Sequence, residues 1–144
     1  MATEMSNEWK WILLEKEAKS STDVFKIRLM ASGFTFNKDT HQVWADVSAS
    51  ELANGNGYVT GGNTLTGVVV SQDDTMDRGR VVWNNTTWTA TGGTIGPTPG
   101  AIIIDDTIAT AGHIDPIVGY IDFGGEKSQA DGGILTITSP EFRI

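Results

Sequence analysis

The stretch DVFKIRLM, residues 23–30, decides the class of fold because its large apolar side chains recur at every second position. Phe25, Ile27 and Leu29 share one side of an extended chain, and the two basic residues of the stretch point to the other side. This period of two is the signature of a β-strand. The stretch therefore predicts a sheet with one plainly apolar face.

The sequence after residue 55 continues with strand signals to its end. Short runs of β-branched and aromatic residues alternate with clusters of Gly, Asn, Asp or Pro, which favour turns. The predicted strands span residues 65–71, 80–83, 87–91, 101–105, 117–123 and 134–138. Together with residues 23–30 they predict an all-β domain, either a β-sandwich or a small jelly-roll-like barrel.

Two segments depart from the strand pattern. Residues 1–22 precede it and are expected to form an N-terminal arm before a β-sandwich domain of residues 23–144. Helix formers concentrate within residues 8–19, although alternation there also allows a strand. Residues 48–51 (SASE) match a capping box, and they predict one short helix of about two turns.

The N-terminal arm carries the best interface candidates in the sequence. Aromatic anchors dominate the energetics of protein interfaces, and residues close to a terminus rarely have a core of their own. We therefore expect Trp9, Trp11, Ile12 and Leu13 to contact a neighbouring subunit. The alternative is that the segment covers an open end of the chain's own core.

Charge and composition restrict the possible partners. The chain of 144 residues has 10 basic and 18 acidic residues, a net charge of -8, and it contains no cysteine. Nucleic-acid binding is not expected because it needs clustered Lys and Arg, and anionic membranes are disfavoured for the same reason. Disulfides and cysteine-ligated zinc are excluded. The first residues carry acids where a secretory signal would be basic, so we expect a protein made in the cytoplasm.

The sequence predicts neither an enzyme nor a bound cofactor or metal. His41 and His113 are the only histidines, and neither has a second histidine at metal-ligand spacing. Asp73, Asp74 and Asp77 are close in sequence but lack the Gly and distal Glu of a calcium loop. We expect these acids to be solvated turn residues, and we predict no catalytic role for either histidine.

The remaining tryptophans have two possible roles. Trp44, Trp83 and Trp88 are expected mainly to fill the core of the sandwich. An exposed tryptophan beside amide side chains could instead stack on a sugar. Asn84, Asn85 and Trp88 are therefore a possible ligand platform.

An ordered set of phrases resembles a group of small structural proteins of tailed-bacteriophage virions. The phrases are FTF, DTH, WADVSASEL and GNGY, then WTATGG, IGP, GAII and DD, then VGYIDFGG, within residues 24–138. The resemblance implies a virion component assembled in the host cytoplasm, and it supplies no catalytic residues. We expect a head decoration (cement) protein that forms a homotrimer on the major capsid protein. A tail, neck or fibre component that binds host-surface carbohydrate is the alternative.

Overall fold

The computed structural model describes residues 2–144, and most of its regular structure is antiparallel β-sheet. The elements are β1 (Ala2–Met5), α1 (Asn7–Leu14), β2 (Phe25–Leu29), β3 (Asn63–Thr64), β4 (Val69–Asp73), β5 (Arg78–Val82), β6 (Thr86–Thr89), β7 (Ile95–Asp105), β8 (Ala109–Thr110), β9 (His113–Ile114), β10 (Ile117–Gln129), β11 (Ile134–Ile137) and β12 (Glu141–Arg143). The prediction of an all-β fold is confirmed, and the one short helix of the described residues is α1 rather than a helix at residues 48–51.

The strands belong to four sheets within the described residues. A five-stranded sheet has the order β1-β10-β7-β2-β3, and a three-stranded sheet has the order β12-β5-β4. Two further pairs, β11-β6 and β8-β9, complete the set. Separate sheets that share one core are a sandwich-like arrangement, so the sandwich is the better of the two expected architectures.

The centre of the large sheet is buried on both faces. On β7, Ala101 and Ile103 face the larger hydrophobic cluster, whereas Ile102 and Ile104 face the smaller one. The register pairs Ile103 with Ile27 of β2. A strand covered on both faces has no polar side, which explains the continuous apolar run of β7.

Residues 2–14 are part of this folded body, which differs from the separate arm expected for residues 1–22. Strand β1 forms the edge of the large sheet, where Met5 pairs with Gly119 of β10. A Cβ on Gly119 would lie 2.3 Å from the Glu4 carbonyl oxygen, so glycine is what permits this close approach. Strand β1 is therefore paired with the large sheet instead of standing apart from it.

Helix α1 follows directly because Ser6 caps it. The Ser6 hydroxyl accepts a hydrogen bond from the Trp9 backbone N–H at 3.0 Å and donates to the Ile117 carbonyl of β10. Of the helix and the strand that the sequence allowed within residues 8–19, the chain forms the helix, up to Leu14. Within residues 2–144, no helix has the length and apolar character needed to cross a bilayer.

The helix expected to begin at residues 48–51 does not form. Two short 3₁₀ turns, Trp44–Asp46 and Ser48–Ser50, take its place. The backbone N–H of Leu52 donates to the Leu29 carbonyl at 2.8 Å, which draws the chain alongside β2. The Glu51 side chain binds elsewhere instead of capping a helix.

Candidate functional site

Helix α1 presents two different faces. Trp9 and Ile12 are buried in the larger core, where the Trp9 ring packs edge-on against Phe25 at 5.8 Å between centroids. On the outer side, Trp11 is 47% exposed and Leu14 is 80% exposed. The buried residues anchor the helix on the core, so Trp11 and Leu14 are exposed on an ordered helix.

The exposed tryptophan is also held by a contact with the neighbouring β9. The rings of Trp11 and His113 lie 4.8 Å apart between centroids. The Nδ1 atom of His113 contacts the Glu8 carboxylate, one turn earlier on α1. Trp11 is therefore preorganised, which lowers the entropy cost of using it in an interface.

The structure separates the four predicted interface residues into two groups. Trp9 and Ile12 fill the chain's own core, so they are not available to a neighbouring subunit as was expected. Leu13 is half-buried and packs on that core, and only Trp11 remains substantially exposed. Leu14, which the sequence analysis did not select, joins Trp11 because residues three apart share a helix face.

The possible ligand platform does not form around Trp88. Asn84 and Asn85 are exposed, but Trp88 is only 4% exposed and its ring packs near Tyr58. The Asn85 side-chain oxygen accepts a hydrogen bond from the Ser139 backbone N–H at 2.9 Å. A buried ring cannot stack on a sugar, so these three residues do not make a carbohydrate platform in this conformation.

The other tryptophans of the sandwich differ in their surroundings. Trp83 is buried and packs against Phe25 and Phe142. Trp44 is only half-buried, and the guanidinium carbon of Arg28 lies 4.2 Å from the centre of its ring. Trp83 and Trp88 are thus core residues as predicted. Trp44 packs against the edge of the smaller core and also makes a cation–π contact with Arg28.

Arg28 belongs to a buried polar network that the sequence analysis missed. Its guanidinium group is 3.7 Å from the Glu51 carboxylate. The other Glu51 oxygen accepts hydrogen bonds from the Tyr58 hydroxyl and the Gly61 backbone N–H, both at 2.7 Å. Burial, and then the bond to Glu51, raise the pKa of Tyr58. The network fastens the segment from residue 51 to residue 61 onto β2.

A second buried acid lies at the end of β7. Asp105 is fully buried, and one of its oxygens accepts a hydrogen bond from the Thr107 backbone N–H at 2.9 Å. Its other oxygen has no partner among the described residues. Burial, with a smaller contribution from neighbouring Asp23, raises the pKa of Asp105 to about 7. The two acids form a carboxyl pair between β7 and the segment that precedes β2.

Asp73, Asp74 and His41 have partners close in the sequence. Asp73 pairs with Arg78 at 3.0 Å, and Asp74 accepts a hydrogen bond from Gln72. His41 accepts a hydrogen bond from the Asn37 backbone N–H at 3.1 Å. Within residues 2–144, His, Asp and Glu side chains form no group of three that could hold a metal ion.

Comparison of the chain with models of protein families, with curated protein sequences and with solved structures gave no match. Among the described residues, the outer face of α1, with Trp11 and Leu14 exposed, is the clearest binding feature.

Proposed function

We propose that this chain is a non-enzymatic structural protein of a tailed-bacteriophage virion and acts as a head decoration (cement) protein. Its partner would be the major capsid protein, and its own assembly a homotrimer on the capsid exterior. The resemblance of residues 24–138 to phage virion proteins supports the virion role. The observation that carries a binding role is the outer face of α1, where Trp11 and Leu14 are exposed on an anchored helix.

The outer face of α1 suits a protein partner. Trp and Leu are large apolar residues, and covering a Leu side chain contributes about 1.5–3 kcal/mol. Trp is enriched among the residues that dominate interface energies. The helix is already ordered by Ser6, Trp9 and Ile12, so little order is lost on binding.

Many copies of a modest contact would suffice to clamp a capsid. Linked contacts convert weak individual binding into avidity, and trimers with closed symmetry make three such contacts at once. A small apolar face is adequate for this purpose when many copies bind. Such a face therefore favours decoration over a neck or tail position, where we expect a dozen or fewer copies.

Host-surface carbohydrate binding is the less favoured role. It would need an exposed aromatic ring near Asn84 and Asn85, and Trp88 is buried. Glycan binding by the isolated domain that is lost on Asn85→Ala would reverse this preference.

The test measures occupancy on purified particles. We expect the protein in hundreds of copies per head, quantified against the major capsid protein. With Leu14→Gln we expect fewer copies, because a loss of about 1.4 kcal/mol per contact weakens the affinity of that contact about tenfold. The control is Val59→Gln, which changes another exposed apolar residue. A dozen or fewer copies per particle would contradict decoration, and undiminished occupancy of Leu14→Gln would contradict the role of α1.

A further inference from the structure

A surface cavity of about 560 Å³ lies beside β1 and β10, and its lining does not include the outer face of α1. Its lining includes three aromatic side chains: Phe34, Phe36 and Tyr120. The ring of Tyr120 is 5.6 Å between centroids from each phenylalanine, stacked on Phe36 and edge-on to Phe34. The cavity thus has a continuous aromatic wall.

Three carboxylates line the same cavity. They are Glu4 of β1 and Asp122 and Glu126 of β10. Glu126 accepts hydrogen bonds from the Ser32 hydroxyl at 3.0 Å and the Gly33 backbone N–H at 2.9 Å. Asp122 accepts one from Gly124 at 2.8 Å. These bonds fix two of the carboxylates in place before any ligand arrives.

The negative charge of the cavity is not neutralised by the described residues. Within residues 2–144, none of the three carboxylates forms a salt bridge, and no Lys or Arg lines the cavity. Asp39, and to a smaller extent Glu4, raises the pKa of Lys38. The Lys38 ammonium group is paired with Asp39 at 2.8 Å and does not neutralise Glu4. A cation entering the cavity would therefore meet uncompensated acids.

Tyr120 contributes a polar group to the aromatic wall of the cavity. The residue is only 7% exposed, and it lines the cavity. The hydroxyl lies directly over Gly100, where a Cβ would be 2.3 Å away, so glycine leaves it room. Burial, followed by Asp122 and Glu126, raises the pKa of Tyr120 to about 12, so the hydroxyl stays protonated.

We propose that this cavity binds the guanidinium group of an arginine side chain presented by a partner protein. A guanidinium is flat and stacks on aromatic rings, and its five N–H donors suit carboxylate and hydroxyl acceptors. An ammonium group lacks the flat face, and a metal ion gains nothing from an aromatic wall. The net charge of -8 makes a basic partner segment favourable. Binding of arginine in this cavity does not depend on the proposed virion role.

Ligand titration followed by NMR of the Tyr120 and Phe36 rings tests the proposal. The probes are acetyl-arginine amide, the neutral isostere acetyl-citrulline amide, acetyl-lysine amide and magnesium chloride. We expect saturable shifts with arginine, weaker binding of lysine, and no binding of citrulline or magnesium. Equal binding of arginine and citrulline, or preference for lysine or magnesium, would overturn the proposal.

A pair of aspartate variants locates the binding. Asp122→Asn removes one charge while keeping the acceptor for Gly124, and we expect it to weaken arginine binding about tenfold. The matched control is Asp131→Asn, an exposed aspartate that also accepts from a backbone N–H, that of Gly92. Equal affinities of the two variants would place the arginine elsewhere and reject the site.

Discussion

Sequence pattern and burial disagree in two regions of the molecule: the N-terminal segment, residues 2–14, and the β4–β5 hairpin, residues 69–82. The first lies outside the strand pattern, yet it places Met5, Trp9 and Ile12 in the larger core. The second lies within the strand pattern, yet β4 is an edge strand of the three-stranded sheet. Membership of the core therefore depends on which elements cover a segment, and not on its own periodicity.

Two pairs of adjacent β-branched residues make the difference concrete. Ile102 and Ile103 of β7 are both fully buried because protein packs on each face of the large sheet. Val69 and Val70 of β4 are each more than half exposed. Strand propensity is similar for the two pairs, so the difference comes from tertiary packing.

The largest expected loss of stability is for a change of Trp9, because this residue is buried in the larger core. Trp9→Ala should lower the free energy of unfolding by about 3–5 kcal/mol, through lost burial and the cavity that remains. Urea denaturation followed by far-UV circular dichroism measures this directly. The control is Trp11→Ala on the outer face of α1, for which we expect no more than about 1.5 kcal/mol from the lost contact with His113. Similar losses for the two variants would show that the N-terminal segment is not integrated as described.

The strand pattern predicted much of the sheet but little of how it is assembled. Alternation placed β2 to within two residues at each end, since one face of that strand is apolar. Strands β7 and β10 extend beyond the predicted runs, to Ile95 and Gln129, through Gly-rich and polar stretches with weak strand propensity. Pairing between the two strands, as at Lys127 and Thr98, extends them, and no local pattern contains that information.

The binding features were predictable only in part for the same reason. Exposure of Trp11 and burial of Trp9 follow from how α1 docks on the sheet, which depends on the pairing of β1 with β10. The aromatic cavity joins residues 34–36 with Tyr120, and the Arg28–Glu51 network joins β2 to a distant loop. Each is a long-range contact, whereas sequence spacing reports only local faces.

A second prediction concerns the segment that connects α1 to the large sheet, where Asp23 lies beside Asp105. The ordinary pKa of an aspartate is 3.8, and in the folded protein the pKa of Asp105 is raised to about 7. Between these two pH values the Asp105 carboxyl group is protonated in the folded protein and ionised in the unfolded chain. This contribution to stability is fully present below about pH 4 and is lost as the pH rises through about 7. Since one pKa unit corresponds to about 1.36 kcal/mol, we expect the unfolding free energy to fall by about 4 kcal/mol over that interval.

Asp105→Asn tests this pH dependence, because an amide mimics the protonated acid. Urea denaturation between pH 4.5 and 7.5, as a series in about half-unit steps, should show a flatter profile for the variant than for the wild type. The exposed Asp131→Asn serves as the control and should keep the wild-type slope. Parallel profiles for Asp105→Asn and the wild type would mean that the buried pair does not couple protonation to folding.

The smallest expected effect is on the hairpin, where Val70 of β4 pairs with Val81 of β5. Val70→Thr should change the unfolding free energy by no more than about 0.5 kcal/mol, because Val70 is 53% exposed and threonine keeps the β-branched shape. Val81→Thr, its matched control in the same cross-strand pair, buries a hydroxyl against the core and should cost about 1–3 kcal/mol. The two variants thus compare the stability contributed by β5, which packs on the core, with that contributed by the exposed edge strand β4. Equal costs would mean that β4 is packed in solution against something outside the monomer, and an unfolding midpoint that rises with protein concentration would identify it as a second copy of the chain.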